Sequence, residues 1–288
     1  MRRNKELRQF RKIVKASLKE DIGRGDITTN TIVHESARTL GILFPREDGI
    51  LCGIDLAQMV FEEIDEHIDF QKKMHDGDAF SAGMTIATIT GSAHACLKGE
   101  RTALNFLQHL SGIASLTKRF VSATAGHVKI LDTRKTLPGL RIIEKYAVRV
   151  GGGYNHRFGL YDMVLIKDNH IEIAGSITNA VNAVREKKKR TFIEVEVRTF
   201  DELQETLGLK VNRVMLDNMT LHQIQRCVEI VRKSTTNVEI EISGGINLST
   251  IEEFANCGAD FISVGALTHS ARAIDIALKL KMLGECES

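Results

Sequence analysis

The chain has 288 residues, of which 43% are hydrophobic and 26% charged, so it is long enough for one large domain or for a barrel with a smaller companion. Its formal net charge of +2 gives no indication of a nucleic-acid partner, and the lack of an apolar run of about 18 residues predicts no membrane span. Five scattered cysteines without a CxxC pair argue against a disulfide framework or a structural zinc site, and we expect a cytoplasmic protein.

The first part of the chain mixes helices and strands irregularly. A helix over about 5–19 is predicted by apolar residues at helical spacing: Leu7, Phe10, Val14 and Leu18. Short strands are predicted around 36–44 and 84–90, and a long amphipathic helix begins near Ala93. Because strand and helix do not alternate regularly here, we predict an N-terminal α+β sandwich domain over residues 1–115.

The second part has a regular rhythm of strands and helices. Short, apolar, β-branched runs occur at 127–131, 162–166, 192–197, 212–216, 238–242 and 260–264. The segments between them have helical periodicity, which calls for parallel strands with helical crossovers. Six units allow either a shortened β/α barrel or an open doubly wound sheet over residues 116–270. A C-terminal helix over 271–288 is expected to close the barrel or to pack on the first domain.

Polar residues directly after the strands favour the barrel. They stand at 132–135, 167–170, Glu196, 217–218, 243–245 and Gly265. Chemistry at the C-terminal end of every strand is typical of a β/α barrel, whereas an open sheet concentrates it at one switch point. The predicted fold class is therefore α/β, a shortened β/α barrel beside the first domain.

The segment 132–170 is rich in basic residues. Arg134-Lys135 and His156-Arg157 stand at a strand end or after a glycine-rich stretch, where side chains can converge. Arginine offers a planar fork that matches a carboxylate or a phosphate, so the pairs predict a pocket for a small, multiply anionic ligand. The alternative is a set of surface ion pairs with Glu144 and Asp162.

Glycine-containing turns follow the last two strands, at 243–245 and 264–266. The loops at this position in β/α barrels commonly hold phosphate through backbone N–H groups, and ordinary strand-to-helix turns are the alternative.

Two carboxylates, Glu196 and Asp217, end neighbouring predicted strands. Among basic groups they suggest Mg²⁺ bound with a diphosphate, or stabilisation of a cationic sugar ring. Glu194 should lie deeper on the same face, as a member of a structural ion pair. The histidines show no HxH or HxxxH pattern, which argues against a transition metal. The residues thus predict a Mg²⁺-assisted enzyme that acts on a phosphorylated sugar diphosphate and an anionic co-substrate.

A series of motifs in order resembles the quinolinate phosphoribosyltransferase family. They are DTRKTLPGLR, EKYAV, GGGYNHRFGL and LIKDNH within 132–170, GERTALNFLQHLSGIAS at 99–115, EVEV at 194–197, LDN at 216–218, EISGGI at 241–246 and GADFISVGALTHS at 258–270. The resemblance covers about residues 20–270.

This resemblance implies roles for individual residues. The quinolinate carboxylates would be held by Arg101, Arg134, His156, Arg157 and Lys167. The contacts to phosphoribosyl pyrophosphate and its Mg²⁺ would come from Lys135, Glu196 and Asp217. The sugar 5′-phosphate would lie against Ser243, Gly244, Gly245, Gly265 and His269. Thr133 would join the substrate-binding residues, and the catalytic set would be Lys135, Lys167, Glu196 and Asp217.

The resemblance also implies an activity and an assembly. The enzyme would join quinolinate to phosphoribosyl pyrophosphate and release carbon dioxide and pyrophosphate, giving nicotinate mononucleotide for NAD biosynthesis. A homodimer, or a larger oligomer, would share active sites between chains, with Arg101 serving the partner's barrel. Three alternatives remain open: a molybdenum-associated paralogous phosphoribosyltransferase, a nicotinate phosphoribosyltransferase that uses a monocarboxylate, and a non-enzymatic protein that binds phosphorylated sugars.

Overall fold

The computed structural model describes residues 2–234 and 237–283. The elements of the first part are α1 (Arg2–Ile22), α2 (Ile27–Ile32), β1 (Arg38–Pro45), β2 (Gly49–Ile50), α3 (Ile54–Ile64), β3 (Asp69–Lys72), β4 (Ala79–Phe80), β5 (Ala87–Ser92) and α4 (Ala93–Ala123). Those of the second part are β6 (Lys129–Leu131), α5 (Arg141–Val150), β7 (Val164–Ile166), α6 (Asp168–Ala174), α7 (Ile177–Lys187), β8 (Ile193–Val197), α8 (Phe200–Gly208), β9 (Arg213–Asp217), α9 (Leu221–Lys233), β10 (Glu239–Ser243), α10 (Ile251–Ala255), β11 (Phe261–Ser263), α11 (Ala266–His269) and β12 (Ile276–Met282). Among helices in the described ranges, none has the length and apolar character needed to cross a bilayer.

The chain forms two compact units. The first contains the described residues up to Lys118, residues 136–152 and the described residues from Ser270 onward. The second contains residues 119–135 and 153–269. The first unit is an α+β structure around an antiparallel sheet in the order β12-β1-β5-β3. On β1 and β5, buried and half-buried residues alternate, as the period of a strand requires.

Helix α5 belongs to the first unit, whereas the sequence placed residues 136–152 in the barrel domain of 116–270. Three contacts of α5 explain the difference. The ring of Tyr146 lies edge-on to Phe10 of α1 at 5.3 Å, and its hydroxyl donates to Asp76 at 2.7 Å. Arg149 forms an ion pair with Glu6 at 2.8 Å. These partners are remote in sequence, so the strand–helix rhythm could not indicate them.

The predicted C-terminal helix is wrong over its described part. Residues 276–282 form β12, which pairs antiparallel with β1 from Ile276 opposite Pro45 to Met282 opposite Thr39; residues 284–288 lie outside the described residues. The segment ALKLKM is rich in helix formers, but its apolar residues alternate with lysines at the period of a strand. The segment forms a strand because it can pair with the free edge of β1, and such tertiary pairing outweighs its helix propensity.

The second unit confirms the predicted shortened β/α barrel. Its six strands are parallel, in the order β6-β11-β10-β9-β8-β7, and helices follow β7 to β11 along the chain. Beyond β6, Leu131 forms a parallel bridge with Tyr154. All five residues of β8 are buried, with Ile193, Val195 and Val197 alternating with Glu194 and Glu196. The apolar side chains pack beneath helices, and the acidic ones therefore point into the barrel.

Substitution of Gly112 tests how the C-terminal segment lies on α4. A Cβ at this position would stand 2.2 Å from the carbonyl oxygen of Arg272. Glycine-to-alanine changes inside helices usually stabilise, but here we expect Gly112→Ala to destabilise by about 1–3 kcal/mol because backbone must move. Thermal unfolding should show a lower Tm. Gly208→Ala is the control, since a Cβ there meets nothing within 4 Å and should raise the Tm slightly. A Tm that rises in both variants would contradict the packing of this segment.

Candidate active site

A cavity of about 540 Å³ lies at the C-terminal end of the parallel strands. Eleven of the residues proposed from the sequence line it: Thr133, Arg134, Lys135, His156, Arg157, Lys167, Glu196, Asp217, Ser243, Gly244 and Gly245. They converge because every strand of a parallel barrel ends at the same face. The lining also includes residues that the sequence analysis did not propose: Leu165, Asp168, Arg198, Met215, Asn218, Glu241 and Ser263.

Three proposed residues do not line this cavity. Gly265 stands beside it, since a Cβ there would lie 3.0 Å from Cδ of Lys135 and 3.2 Å from Nε2 of His269. Thr268, on the same short helix as His269, donates its hydroxyl to the carbonyl of Lys135 at 2.8 Å. Arg101 is an exposed residue of α4 in the first unit, so its proposed contact with a ligand stays a prediction.

One wall of the cavity is basic. Two effects lower the pKa of Arg157 from its usual value: burial is the larger, and the positive charge of nearby Arg134 is the next. Arg157 donates from Nη1 to the carbonyl of Met163 at 3.3 Å. Two guanidinium groups that repel each other favour a ligand with carboxylate or phosphate oxygens between them.

His156 lines the cavity but turns its ring toward the barrel interior. Its backbone N–H donates to Oδ1 of Asp132 at 2.9 Å, and its Nδ1 accepts from the backbone N–H of Arg157 at 2.7 Å. Its Nε2 lies 3.2 Å from Oε2 of Glu194 and 3.5 Å from Oε2 of Glu241. In this arrangement both ring nitrogens face protein groups. A direct contact of His156 with a ligand carboxylate therefore stays a prediction.

Another part of the cavity wall is acidic and holds the carboxylates of Glu196 and Asp217. Lys167 forms a short ion pair with Oε2 of Glu196. Arg198 lies 3.2 Å from Oε1 of Glu196, 3.4 Å from Oδ2 of Asp217 and 2.9 Å from Oδ2 of Asp168. Desolvation opposes the charge of Arg198, but these three carboxylates outweigh it and raise its pKa. Two hard carboxylate oxygens at one cavity wall are a donor set that fits Mg²⁺.

Arg198 is the main residue that the sequence analysis missed. The signal was present, because Glu194, Glu196 and Arg198 follow one another at every second position. Residues at that spacing share a face when a strand continues. The predicted strand ends at Val197, as β8 does, and Arg198 continues the same alternation one residue beyond that end.

The turn after β10 requires glycine. Gly244 has φ +93°, and a Cβ there would lie 2.2 Å from Oδ1 of Asn218. Asn218 itself adopts φ +55°, donates its backbone N–H to Ser243 O at 2.9 Å, and donates from Nδ2 to Oδ2 of Asp217 at 2.9 Å. Thus the glycine turn also positions the Asp217 carboxylate.

Beneath the cavity lies a buried pair of carboxyls, Glu194 and Glu241. Burial raises the pKa of both, and the mutual repulsion of the pair adds to the shift of Glu241, whose pKa is raised to about 8. Arg213 opposes these shifts from 3.1 Å to Glu241 and 4.0 Å to Glu194. Its guanidinium also lies 4.0 Å from the ring centroid of Phe261. The expected structural ion pair of Glu194 is confirmed as part of this cluster.

Fold and cavity together define a class: a β/α-barrel protein whose strand-end site has one basic wall, one acidic wall and a glycine turn between them. Such a site suits a ligand with several carboxylate or phosphate groups, together with a hard divalent cation.

Comparison with known proteins narrows this class. The chain matches the family model described as the quinolinate phosphoribosyl transferase N-terminal domain over residues 26–111, and that of the C-terminal domain over residues 113–279. It is 41% identical to the chloroplastic nicotinate-nucleotide pyrophosphorylase (carboxylating) of Arabidopsis thaliana, covering 93% of this chain and 82% of that one. It is 39% identical to the probable nicotinate-nucleotide pyrophosphorylase (carboxylating) of Bacillus subtilis, covering 96% and 95%.

A solved structure agrees with this placement. NadC from Streptococcus pyogenes superposes with a TM-score of 0.90 at 42% identity, covering 95% of this chain and 96% of that one. The chain belongs to the quinolinate phosphoribosyl transferase family, as its motifs predicted.

The buried carboxyl pair predicts a pH dependence of stability. A glutamate whose pKa rises from 4.5 to about 8 on folding stabilises the fold fully below pH 4.5, and this contribution is lost as the pH rises to about 8. Glu241→Gln removes the titrating group. We therefore expect the free energy of unfolding of the variant, minus that of the parent, to increase by roughly 1 kcal/mol for each pH unit as the pH rises from 6 to 8. Denaturant unfolding at several pH values measures this difference.

Glu239→Gln is the matched control for this experiment. Glu239 also pairs with Arg213, at 2.8 Å, but its side chain is 44% exposed. The Glu239 variant should follow the pH dependence of the parent. Parallel stability curves for the parent and Glu241→Gln would show that Glu241 does not carry a proton in the folded protein.

Proposed function

We propose that this chain transfers the phosphoribosyl group of phosphoribosyl pyrophosphate to quinolinate, with decarboxylation, as a glycosyltransferase of NAD biosynthesis. The products are nicotinate mononucleotide, carbon dioxide and pyrophosphate. The observation that carries the proposal is the cavity itself, in which Arg134 and Arg157 face ligand space together with Glu196 and Asp217. The names of the relatives in the same family support the same activity.

The basic wall would bind quinolinate. Arg134 and Arg157 supply planar forks for the two ring carboxylates, and Lys167 adds a compact positive charge. His156 supports this wall because its Nδ1 accepts a hydrogen bond from the backbone N–H of Arg157 at 2.7 Å. A dicarboxylate satisfies two neighbouring guanidinium groups better than a monocarboxylate does, which favours quinolinate over nicotinate.

The remaining lining would bind phosphoribosyl pyrophosphate. Lys135, whose aliphatic chain lies against Gly265, would contact a phosphate oxygen, and the turn of Ser243, Gly244 and Gly245 would bind the 5′-phosphate. Glu196 and Asp217 would hold Mg²⁺, which when bound supplies positive charge to the pyrophosphate oxygens.

The proposed reaction depends on positioning and fixed charge. The clamped carboxylates hold the pyridine nitrogen against the anomeric carbon of the ribose, and Lys135 stabilises the departing pyrophosphate. The carbon–oxygen bond to pyrophosphate breaks as the carbon–nitrogen bond forms, and pyrophosphate leaves with the electron pair of the broken bond. The ring nitrogen then carries a positive charge. This charge stabilises the carbanion that is left on the adjacent ring carbon when the neighbouring carboxylate departs as carbon dioxide, and a proton then bonds to that carbon.

We further propose a homodimer with shared sites and a cytoplasmic location. The exposed position of Arg101 on α4 is compatible with a contact to a second chain. The four cysteines of the described residues, Cys52, Cys96, Cys227 and Cys257, are buried and free, which suits a reducing compartment.

Arg134→Lys tests the carboxylate clamp. The variant keeps the charge but loses the two-pronged geometry, so we expect kcat/KM for quinolinate to fall at least tenfold, equivalent to about 1.5 kcal/mol. The KM for quinolinate should suffer more than that for phosphoribosyl pyrophosphate. The assay follows carbon dioxide release from quinolinate. Arg190→Lys, an exposed change outside the cavity lining, is the control. Unchanged quinolinate kinetics in Arg134→Lys would remove this residue from the site.

Subunit exchange tests the shared site. We expect Arg101→Ala and Lys135→Ala to be inactive separately. After mild unfolding and mixing in equal amounts, half of the dimers are hybrids, and each hybrid has one site with both residues intact. About a quarter of the parental activity should therefore return. If Arg101 serves its own chain, every site keeps one defect, and confirmed exchange without recovered activity would refute the shared site.

A further inference from the structure

Arg198 pairs with the same carboxylates that would bind a divalent cation. Its guanidinium contacts Asp168, Glu196 and Asp217 at 2.9, 3.2 and 3.4 Å, and two of these are the proposed Mg²⁺ ligands. Lys167 takes the other oxygen of Glu196. A metal ion that approaches the two carboxylates must therefore replace contacts that Arg198 already makes.

The charges at this wall indicate when replacement is favourable. Three carboxylates face two cationic side chains, so the net charge of the cluster is about −1. Binding of a bare divalent ion would change the net charge of the cluster to about +1 and would place the ion next to the positive charge of Arg198. A divalent ion that arrives with a pyrophosphate group brings anionic oxygens as well. These oxygens can accept hydrogen bonds from the Arg198 guanidinium once that group leaves Glu196 and Asp217.

The local structure lets the Arg198 side chain move without the strand. Its backbone N–H donates to Oε2 of Glu202 at 2.6 Å, within the capping box that begins α8, and this contact fixes the main chain. The side chain is 49% exposed, and Asp168, its nearest carboxylate, is 46% exposed on the outer side of the cluster. Arg198 can thus keep Asp168 as a partner while it releases the two inner carboxylates.

We propose that Arg198 is an internal counter-cation that couples metal binding at Glu196 and Asp217 to the arrival of the pyrophosphate group. In the free protein Arg198 competes with a divalent ion for these carboxylates. In the loaded protein it pairs with pyrophosphate oxygens instead. The inference rests on the proposed metal site, and it adds a positioning residue to that site.

Direct Mn²⁺ binding tests the proposal without turnover. The full-length protein is titrated with Mn²⁺ and free Mn²⁺ is followed by electron paramagnetic resonance, with and without pyrophosphate. A protein-free titration at the same pyrophosphate concentration is subtracted. For the parent we expect weak binding of Mn²⁺ alone and at least tenfold tighter binding with pyrophosphate. In Arg198→Gln, Mn²⁺ alone should bind at least tenfold tighter than in the parent, and the effect of pyrophosphate should shrink.

Two further variants make the result specific. Arg198→Lys keeps a cation at this position and should restore most of the competition. Asp217→Asn removes a hard ligand and should weaken Mn²⁺ binding under both conditions. The inference about Arg198 alone is overturned if Arg198→Gln binds Mn²⁺ as the parent does while Asp217→Asn loses binding. If no variant binds Mn²⁺ even with pyrophosphate, the metal site and the inference both fail, and carbon dioxide release from quinolinate then shows separately whether the proposed activity stands.

Discussion

The alternation along β8 is the constraint on which the barrel and its site depend. Val195 and Val197 face outward and are fully buried, while Glu194 and Glu196 face the barrel interior. Enclosing a carboxylate in a parallel barrel is unfavourable unless charges and protons compensate it. Arg213 from the neighbouring strand and His156 from the segment after β6 provide part of that compensation, and the raised pKa of Glu194 provides the rest.

The same strand period produces a graded series of environments. Along one face of the chain, the side chain of Glu194 is fully buried, that of Glu196 is 4% exposed and that of Arg198 is 49% exposed. Residues at alternate positions therefore pass from a buried carboxyl whose pKa is raised, through a carboxylate at the cavity wall, to a half-exposed arginine just beyond the end of β8. Strand β8 fixes the spacing of Glu194 and Glu196 more precisely than a loop would.

The basic residues Arg134 and Lys135 and the acidic residues Glu196 and Asp217 reach the cavity from different strands. Arg134 and Lys135 follow β6, whereas Glu196 and Asp217 end β8 and β9. Between them, the left-handed turn at Gly244 packs against Asn218, which holds the Asp217 carboxylate. Because these residues come from different strands, the cavity presents groups of both signs to a ligand that carries several charges.

The sequence alone determined the six barrel strands, the long helix that begins at Ala93 and the convergence of strand-end residues on one cavity. These features depend on local periodicity and on the direction of parallel strands, and both can be read from neighbours in the chain. No helix was predicted at Ile54–Ile64, although Ile54, Ala57, Val60 and Phe61 recur at helical spacing and form the buried face of α3. Tertiary structure alone decided that residues 276–282 form a strand against β1, that α5 packs with Phe10 of the first unit, and that Arg198 contacts three carboxylates. Each of these outcomes depends on partners remote in sequence, and a local pattern carries no information about which distant edge, ring or charge a segment will meet.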